Sequence, residues 1–252
     1  MKEELQNYQN NEGVIRSFGR IKSRKLSDHK KYLLENLLPQ YSIENNKMDP
    51  VMRRGDKGDN QGNTLQFVIP SHDGVHKKNI LEIGFGFGDW SFEKAKNNPD
   101  INFFGSEPHI NGAVNLLAKL EKEPLSNIKI SRQDIRFLLQ SFEDNFFDEV
   151  YILFPDPWPK AKHFKRRLIN AEFLDKILAP KLKTAAKITI ATDHDLYKTW
   201  ILAEVLRSKK FSWNANSKKD WQIFPDDWTI TKYQKKALIE GRTPVIFILN
   251  NV

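Results

Sequence analysis

The spacing of apolar and polar residues changes character partway along the chain. Residues 1–13 are polar and are expected to be mobile. LSDHKKYLLENLLPQY, residues 26–41, carries leucines at 33, 34, 37 and 38. That spacing predicts a one-sided helix, with Ser27 placed to cap it and Pro39 to end it. Residues 44–79 are polar, hold four glycines and read as loop. A regular rhythm then begins. KNILEIGFGFG reads as a strand entering a glycine turn, DWSFEKAKNN as a helix and INFFGSE as a strand. NGAVNLLAKLEKE follows as a helix, NIKISRQD as a strand and IRFLLQSF as a short helix. FFDEVYILFPDP is apolar almost throughout, as befits a strand covered on both faces. AEFLDKILAP is a helix with Asn170 as its cap, AAKITIATD a strand, DLYKTWILAEVLRSK a helix and RTPVIFILN a last strand. Strand–helix alternation at this spacing predicts an α/β fold with a doubly wound, mostly parallel sheet.

At 252 residues the chain can bury one large core, with or without a small appendage. Its apolar runs are too short to cross a bilayer as a helix, and MKEELQNYQNNEG lacks the apolar stretch of a signal peptide. A cytoplasmic location is the expectation. With no cysteine, disulfides and thiolate metal sites are excluded. His72, Asp73 and His76 fall in the glycine-containing loop without further ligands, so no metal site is expected. The formal charge is +8, and its placement matters more than its size. Residues 14–31 hold seven Lys or Arg against one Asp, and KAKHFKRR (160–167) holds five with a His and no acid. A solvated surface is the ordinary reading of either run; two dense clusters together favour a nucleic acid as partner.

LEIGFGFG sets glycines at 84, 86 and 88, but position 89 is Asp, where the dinucleotide fingerprint wants its third glycine. The turn lets backbone approach a ligand, and that ligand need not carry a pyrophosphate. Glu82, just before it, would repel phosphate and suit a cationic amino-acid group. Taken alone the turn is nearly as well read as plain structure. Glu107 follows the second strand and can accept both hydroxyls of a ribose. Asp134 follows the third and can accept from an adenine amino group. Three acids at successive strand ends form a row that reads as an S-adenosylmethionine site. FPDPWP ends the fourth strand, where prolines limit the backbone and present Asp156 on a stiff rim facing the methyl group of such a cofactor.

LEIGFGFG, FPDPWPKAKHFKRR, ATD (191–193) and TKYQ (231–234) resemble the TrmB-type tRNA (guanine-N7-)-methyltransferases, from RSFGR near residue 16 to the final strand. The resemblance implies a class I S-adenosylmethionine-dependent methyltransferase fold with a seven-stranded sheet. It implies methylation of a variable-loop guanosine, position 46 of tRNA, by a monomer or homodimer. It divides the chain into a basic arm and helix (1–43), a polar connection (44–79) and a methyltransferase domain (80–252). By the same resemblance Glu82, Gly84, Gly86, Gly88, Glu107, Asp134 and Asp156 line the cofactor, and Asp156 is catalytic. Lys160, Asp193, Thr231, Lys232, Tyr233 and Gln234 match substrate positions, and Lys162, His163, Phe164, Lys165, Arg166 and Arg167 the RNA-contacting run. The chain departs from the family pattern at Gln234, where a Glu is expected, and at Pro108, where a small aliphatic residue is expected. Were 161–169 helical, Lys162 and Arg166, and His163 and Arg167, would each lie one turn apart on a cationic face. Guanine N7 already carries an in-plane lone pair, so no base is required; Asp156 and Asp193 can accept from the N1–H and amino group of guanine. Two alternatives stay open: an amino methyltransferase on adenine or cytosine, and a catalytically silent RNA-binding relative.

Overall fold

A computed structural model describes residues 8–10, 13–15, 25–43, 77–226 and 228–252. His72, Asp73, His76 and most of the 14–24 basic stretch lie outside these residues. Tyr8–Asn10 pairs antiparallel with Gly13–Ile15, a short hairpin that the polar N-terminal sequence does not predict.

Seven strands form one sheet: β1 (Lys78–Ile83), β2 (Ile101–Ser106), β3 (Ile128–Ser131), β4 (Phe147–Leu153), β5 (Leu182–Thr192), β6 (Phe211–Trp213) and β7 (Val245–Asn251). Their spatial order is β3-β2-β1-β4-β5-β7-β6. The first five run parallel, while β7 is antiparallel to both β5 and β6. The order reverses between β1 and β4, which makes their carboxyl ends the ligand-binding crevice of such a sheet. This is the doubly wound, mostly parallel α/β sheet that the strand–helix rhythm predicts.

Both faces are covered. α2 (Asp89–Asn97) and α3 (Ile110–Lys122) supply Trp90, Phe92, Leu116 and Leu117 to one face. α4 (Ile135–Leu138), a wide π-helical turn at Phe173–Leu178 and α5 (Asp195–Arg207) supply Leu138, Phe173, Tyr197 and Ile201 to the other. Leu81 and Ile83 point into the second core, and Ile80 into the first. The alternation along β1 therefore sends Glu82, two residues on from Ile80, to the α2 side.

α1 is a composite helix: Asp28–Tyr32, a π-helical stretch Leu33–Leu37, and Leu38–Tyr41. Ser27 Oγ accepts from Lys30 N–H at its start, as the sequence suggests. Pro39 does not end it. Proline tolerates the first turn of a helix but not its interior, and the π stretch makes Pro39 the second residue of a fresh turn. The segment is no free arm, because Leu33 and Tyr41 are buried in the α2/α3 core and Ile43 in the core of the opposite face. Ile43 N–H donates to Ile130 at 3.0 Å, adding a further strand-like contact beyond β3.

Two more corrections concern β structure. The predicted strand AAKITIATD starts three residues earlier, at Leu182, behind an irregularity in the β4/β5 register. Ala185, in that irregularity, has φ of 61°. β6 and the helix α6 (Lys232–Ile239) are elements that the hydrophobic pattern does not predict; only the TKYQ string within the latter region stands out in the sequence.

Candidate active site

The glycine turn leaves β1 at the switch point. Gly84 adopts φ of 74°, and a Cβ built there meets nothing within 4 Å. Backbone conformation, with open space beside it, is what requires glycine here. α3 comes against this turn so tightly that a Cβ on Gly112 would lie 2.4 Å from Gly86 O and 2.7 Å from Glu107 Cγ. Gly112 is a site residue that sequence reading missed; its signal was a glycine inside an otherwise helical pattern.

Glu82 is buried at 3% exposure, and Ser91 Oγ of α2 donates to its carboxylate. Burial pushes its carboxyl up to about 7 against the Ser91 bond, with Glu107 and Asp89 adding to the rise. Glu107 accepts from Gly86 N–H at 2.9 Å and His109 N–H at 2.8 Å. Pro108 lacks an N–H, and the next residue supplies the bond. Burial raises the Glu107 carboxyl too, opposed by those two N–H groups and assisted by Asp156. Asp134 is placed differently. It caps α4 through Arg136 N–H and binds the Arg136 guanidinium at 2.8 and 2.7 Å. The crevice thus receives two acids held by neutral donors and a third held by an arginine.

FPDPWP leaves β4 through an uncommon backbone path. Phe154 and Trp158 have φ of 54° and 41° and bracket Pro155–Asp156–Pro157. Each such residue stores roughly 1–3 kcal/mol and persists only where its surroundings hold it. Phe154 N–H is pinned to Ala191 O on β5 at 2.8 Å. The other end is pinned by Arg167, whose Nε–H donates to Pro157 O at 2.8 Å and whose Nη2 donates to Trp158 O at 3.4 Å. Asp156 itself is exposed on the rim. It is near enough to Glu107 and Tyr233 to raise both their pKa values.

Arg167 is therefore enclosed, not outward-facing like the lysines of the same run. It is 4% exposed, with its guanidinium 3.9 Å from the Phe164 ring, 4.7 Å from Trp200 and 5.3 Å from Tyr197. Phe164 packs on Trp200 rather than facing outward. The physical reason is the helix type. Ala161–Arg166 forms a 3-10 turn, so residues three apart eclipse and Arg167 falls outside the turn. The expected four-residue spacing does not arise. His163 and Arg166 instead both lie against Trp158, at 5.7 and 5.0 Å. Lys160, Lys162 and Lys165 remain exposed.

The TKYQ segment caps α6 and covers the glycine turn. Thr231 Oγ1 accepts from Gln234 N–H at 3.1 Å. Lys232 Nζ sits 4.6 Å over the Phe87 ring, and the Tyr233 ring lies against Gly86. Between them and Glu82, Gly84, Trp90 and Leu153 runs a cleft of about 20 Å³. Trp90 Nε1, buried in that lining residue, has no acceptor among the described residues. Gln234 does not face the crevice. It is 6% exposed, and its Oε1 accepts from Trp228 Nε1 at 2.6 Å. In this position the side chain meets an indole donor, and amide and carboxylate both provide the acceptor.

Asp193, at the end of β5, accepts from Arg242 Nε at 2.7 Å. It lines a second cleft, of about 350 Å³, with Lys198, Lys218, Trp221 and Arg242. Among the described residues no group of three or more metal-ligating side chains occurs, and no helix is long and apolar enough to cross a membrane.

The family model described as "Putative methyltransferase" matches residues 76–245. A tRNA (guanine-N(7)-)-methyltransferase of Roseobacter denitrificans is 43% identical over 65% of this chain and 70% of its own. Its counterpart in Hyphomonas neptunium is 35% identical over 89% of this chain and 94% of its own. That of Caulobacter vibrioides is 34% identical over 90% and 91%. An antibiotic-related methyltransferase of known structure is 17% identical and superposes at a TM-score of 0.48 over 92% of this chain and 98% of its own, too loose to bear on the assignment. The family model and the relatives agree, and the chain belongs to the tRNA (guanine-N7-)-methyltransferase family.

Proposed function

We propose that this protein transfers a methyl group from S-adenosylmethionine to N7 of guanosine 46 in the variable loop of tRNA. The observation that carries the reading is the rim at the switch point: Asp156 stands near Glu107, which itself holds the glycine turn through Gly86 N–H, on a strained loop pinned at both ends. Strain held this firmly belongs where geometry matters to function.

The residues fit the cofactor. Gly84 leaves open space beside its backbone, and Trp90 Nε1 offers a buried donor, without an acceptor among the described residues, in the lining of the adjoining cleft. Glu82 would hold the amino group of the methionine moiety, Glu107 the ribose hydroxyls and Asp134 the adenine amino group. Bound there, the cofactor would supply an electrophilic sulfonium methyl to the N7 lone pair, with the C–S electron pair left on sulfur, so the chain's own residues need move no proton. Asp156 and Asp193 accept from N1–H and the 2-amino group of guanine, aim N7 and offset the positive charge growing on the ring. Adenine offers no donors in that arrangement, so the same contacts select the base. Lys160, Lys162 and Lys165 hold backbone phosphates, which position without reading sequence.

The test is methyl transfer from labelled S-adenosylmethionine to unmodified tRNA, with nucleoside mass analysis and mapping of the modified position. N7-methylguanosine at position 46 is expected. Methylated adenosine or cytidine would identify an amino methyltransferase. Tight tRNA binding with no transfer would identify a silent RNA-binding relative.

A further inference from the structure

α6 ends on a defined stop that aims one side chain. Gly241 N–H donates to Leu238 O at 3.1 Å, and Arg242 N–H donates to Ala237 O at 2.9 Å. Gly241 takes φ of 72°. This pair of bonds with a left-handed glycine is the Schellman stop, and it fixes the direction in which the next residue leaves the helix. Arg242 leaves toward β5, and its Nε donates to Asp193 Oδ2. Glu240 binds Nη1 of the same guanidinium from the other side. A carboxylate accepts up to about four hydrogen bonds. Occupying Oδ2 therefore leaves further acceptor capacity on the Asp193 carboxylate, which lines the 350 Å³ cleft together with Arg242.

We propose that Arg242 is a positioning residue: it holds the Asp193 carboxylate in the orientation that receives the guanine edge, with Glu240 holding Arg242 in turn. The inference rests on the reading of Asp193 as a guanine acceptor. An unheld aspartate at the end of a strand samples several rotamers, and that freedom subtracts from the orientation on which N7 transfer depends. A planar guanidinium gripping two acids restricts it more than an ammonium would. Both side chains are part-exposed, Arg242 at 41% and Asp193 at 21%, so the pair serves stability little.

The experiment is a double-mutant cycle on methyl transfer, with Asp193→Ala, Arg242→Ala and the two combined, plus Arg242→Lys and Arg242→Gln. Kinetics against tRNA, cofactor affinity and thermal midpoint are measured for each. Arg242→Ala is expected to lower kcat/KM for tRNA roughly ten- to a hundredfold, as small misplacements do. Cofactor affinity and midpoint should stay as in the wild type, and Arg242→Lys should recover part of the loss. In the Asp193→Ala background the same change should alter the rate less than about twofold, because nothing remains to position. A full, independent Arg242 effect in that background would overturn the positioning role while leaving Asp193 as acceptor. Wild-type kinetics in both Arg242→Ala and Arg242→Gln would overturn it equally. Wild-type activity in Asp193→Ala would remove the acceptor reading itself, and the positioning role with it.

Discussion

At the scale of single residues, Glu82 and Asp156 illustrate opposite demands. Glu82 is buried, and its carboxyl is raised from 4.5 to about 7. The folded state thus binds a proton more tightly than the unfolded state does. Stability falls as pH rises through the window from about 4.5 to 7 and stays reduced above it. Glu82→Gln should remove that penalty, raising the midpoint by an amount worth up to about 3 kcal/mol at pH 8 and by much less at pH 5. Cofactor affinity should fall in the same variant. Thermal melts at the two pH values check it, and an equal gain at both would show that charge burial is not the cause. Asp156, by contrast, stands exposed on its rim. Asp156→Ala should leave the midpoint unchanged and lower kcat by about two to three orders of magnitude, matching loss of roughly 2–4 kcal/mol of transition-state stabilisation. Steady-state kinetics on a folded variant decide it. The clustering of the acids at strand ends was legible in the sequence because the strand–helix rhythm fixes where strands end, although Asp134 also has the structural task of capping α4. The Gln234–Trp228 bond was not legible, because sequence shows what a side chain can bond, while its partner is fixed only by folding.

At the scale of elements, the strand–helix alternation was readable because both-face burial and 3.6-residue periodicity are local properties of sequence. What escaped were features set by contact between elements. Pro39 is tolerated because a π stretch precedes it, and Arg167 turns inward because three rings and two carbonyls await it. From its neighbours alone, Arg167 is the last cation of a basic run. In the fold it is the strut of the FPDPWP loop. Arg167→Ala leaves the Pro157 and Trp158 carbonyls without their charged donor, and such bonds contribute about 1.5–3 kcal/mol each. The variant should melt at a lower temperature and turn over more slowly, as the strained loop relaxes. Arg167→Lys should restore little, since one ammonium cannot reproduce the fork or the ring stacking. An Arg167→Ala protein with normal midpoint and kcat, but weakened tRNA binding, would return this residue to the RNA-facing group.

At the scale of the molecule, the formal charge of +8 divides into cations that build the site and cations that face outward. Composition does not separate the two, because both kinds sit in the same eight-residue run. Folding separates them: Arg167 is enclosed, His163 and Arg166 lie against Trp158, and Lys160, Lys162 and Lys165 are exposed beside the Asp156 rim. Every phosphate that a lysine ceases to neutralise takes roughly 0.7–0.9 off the log–log slope of affinity against salt. Replacing Lys162 and Lys165 together by Ala should therefore flatten that slope by about 1.4–1.8 and weaken tRNA binding at low salt. Cofactor affinity should be untouched, and the same guanosine should be methylated, because selection belongs to Asp156 and Asp193. Arg167→Ala should leave the slope where it is. Binding measured across a salt series for wild type, the double variant and Arg167→Ala makes the division visible. An unchanged slope in the double variant would reduce both lysines to solvated surface. A flattened slope in Arg167→Ala would mean that the enclosed arginine opens outward when RNA arrives, and the loop would then be remade by its substrate rather than set beforehand.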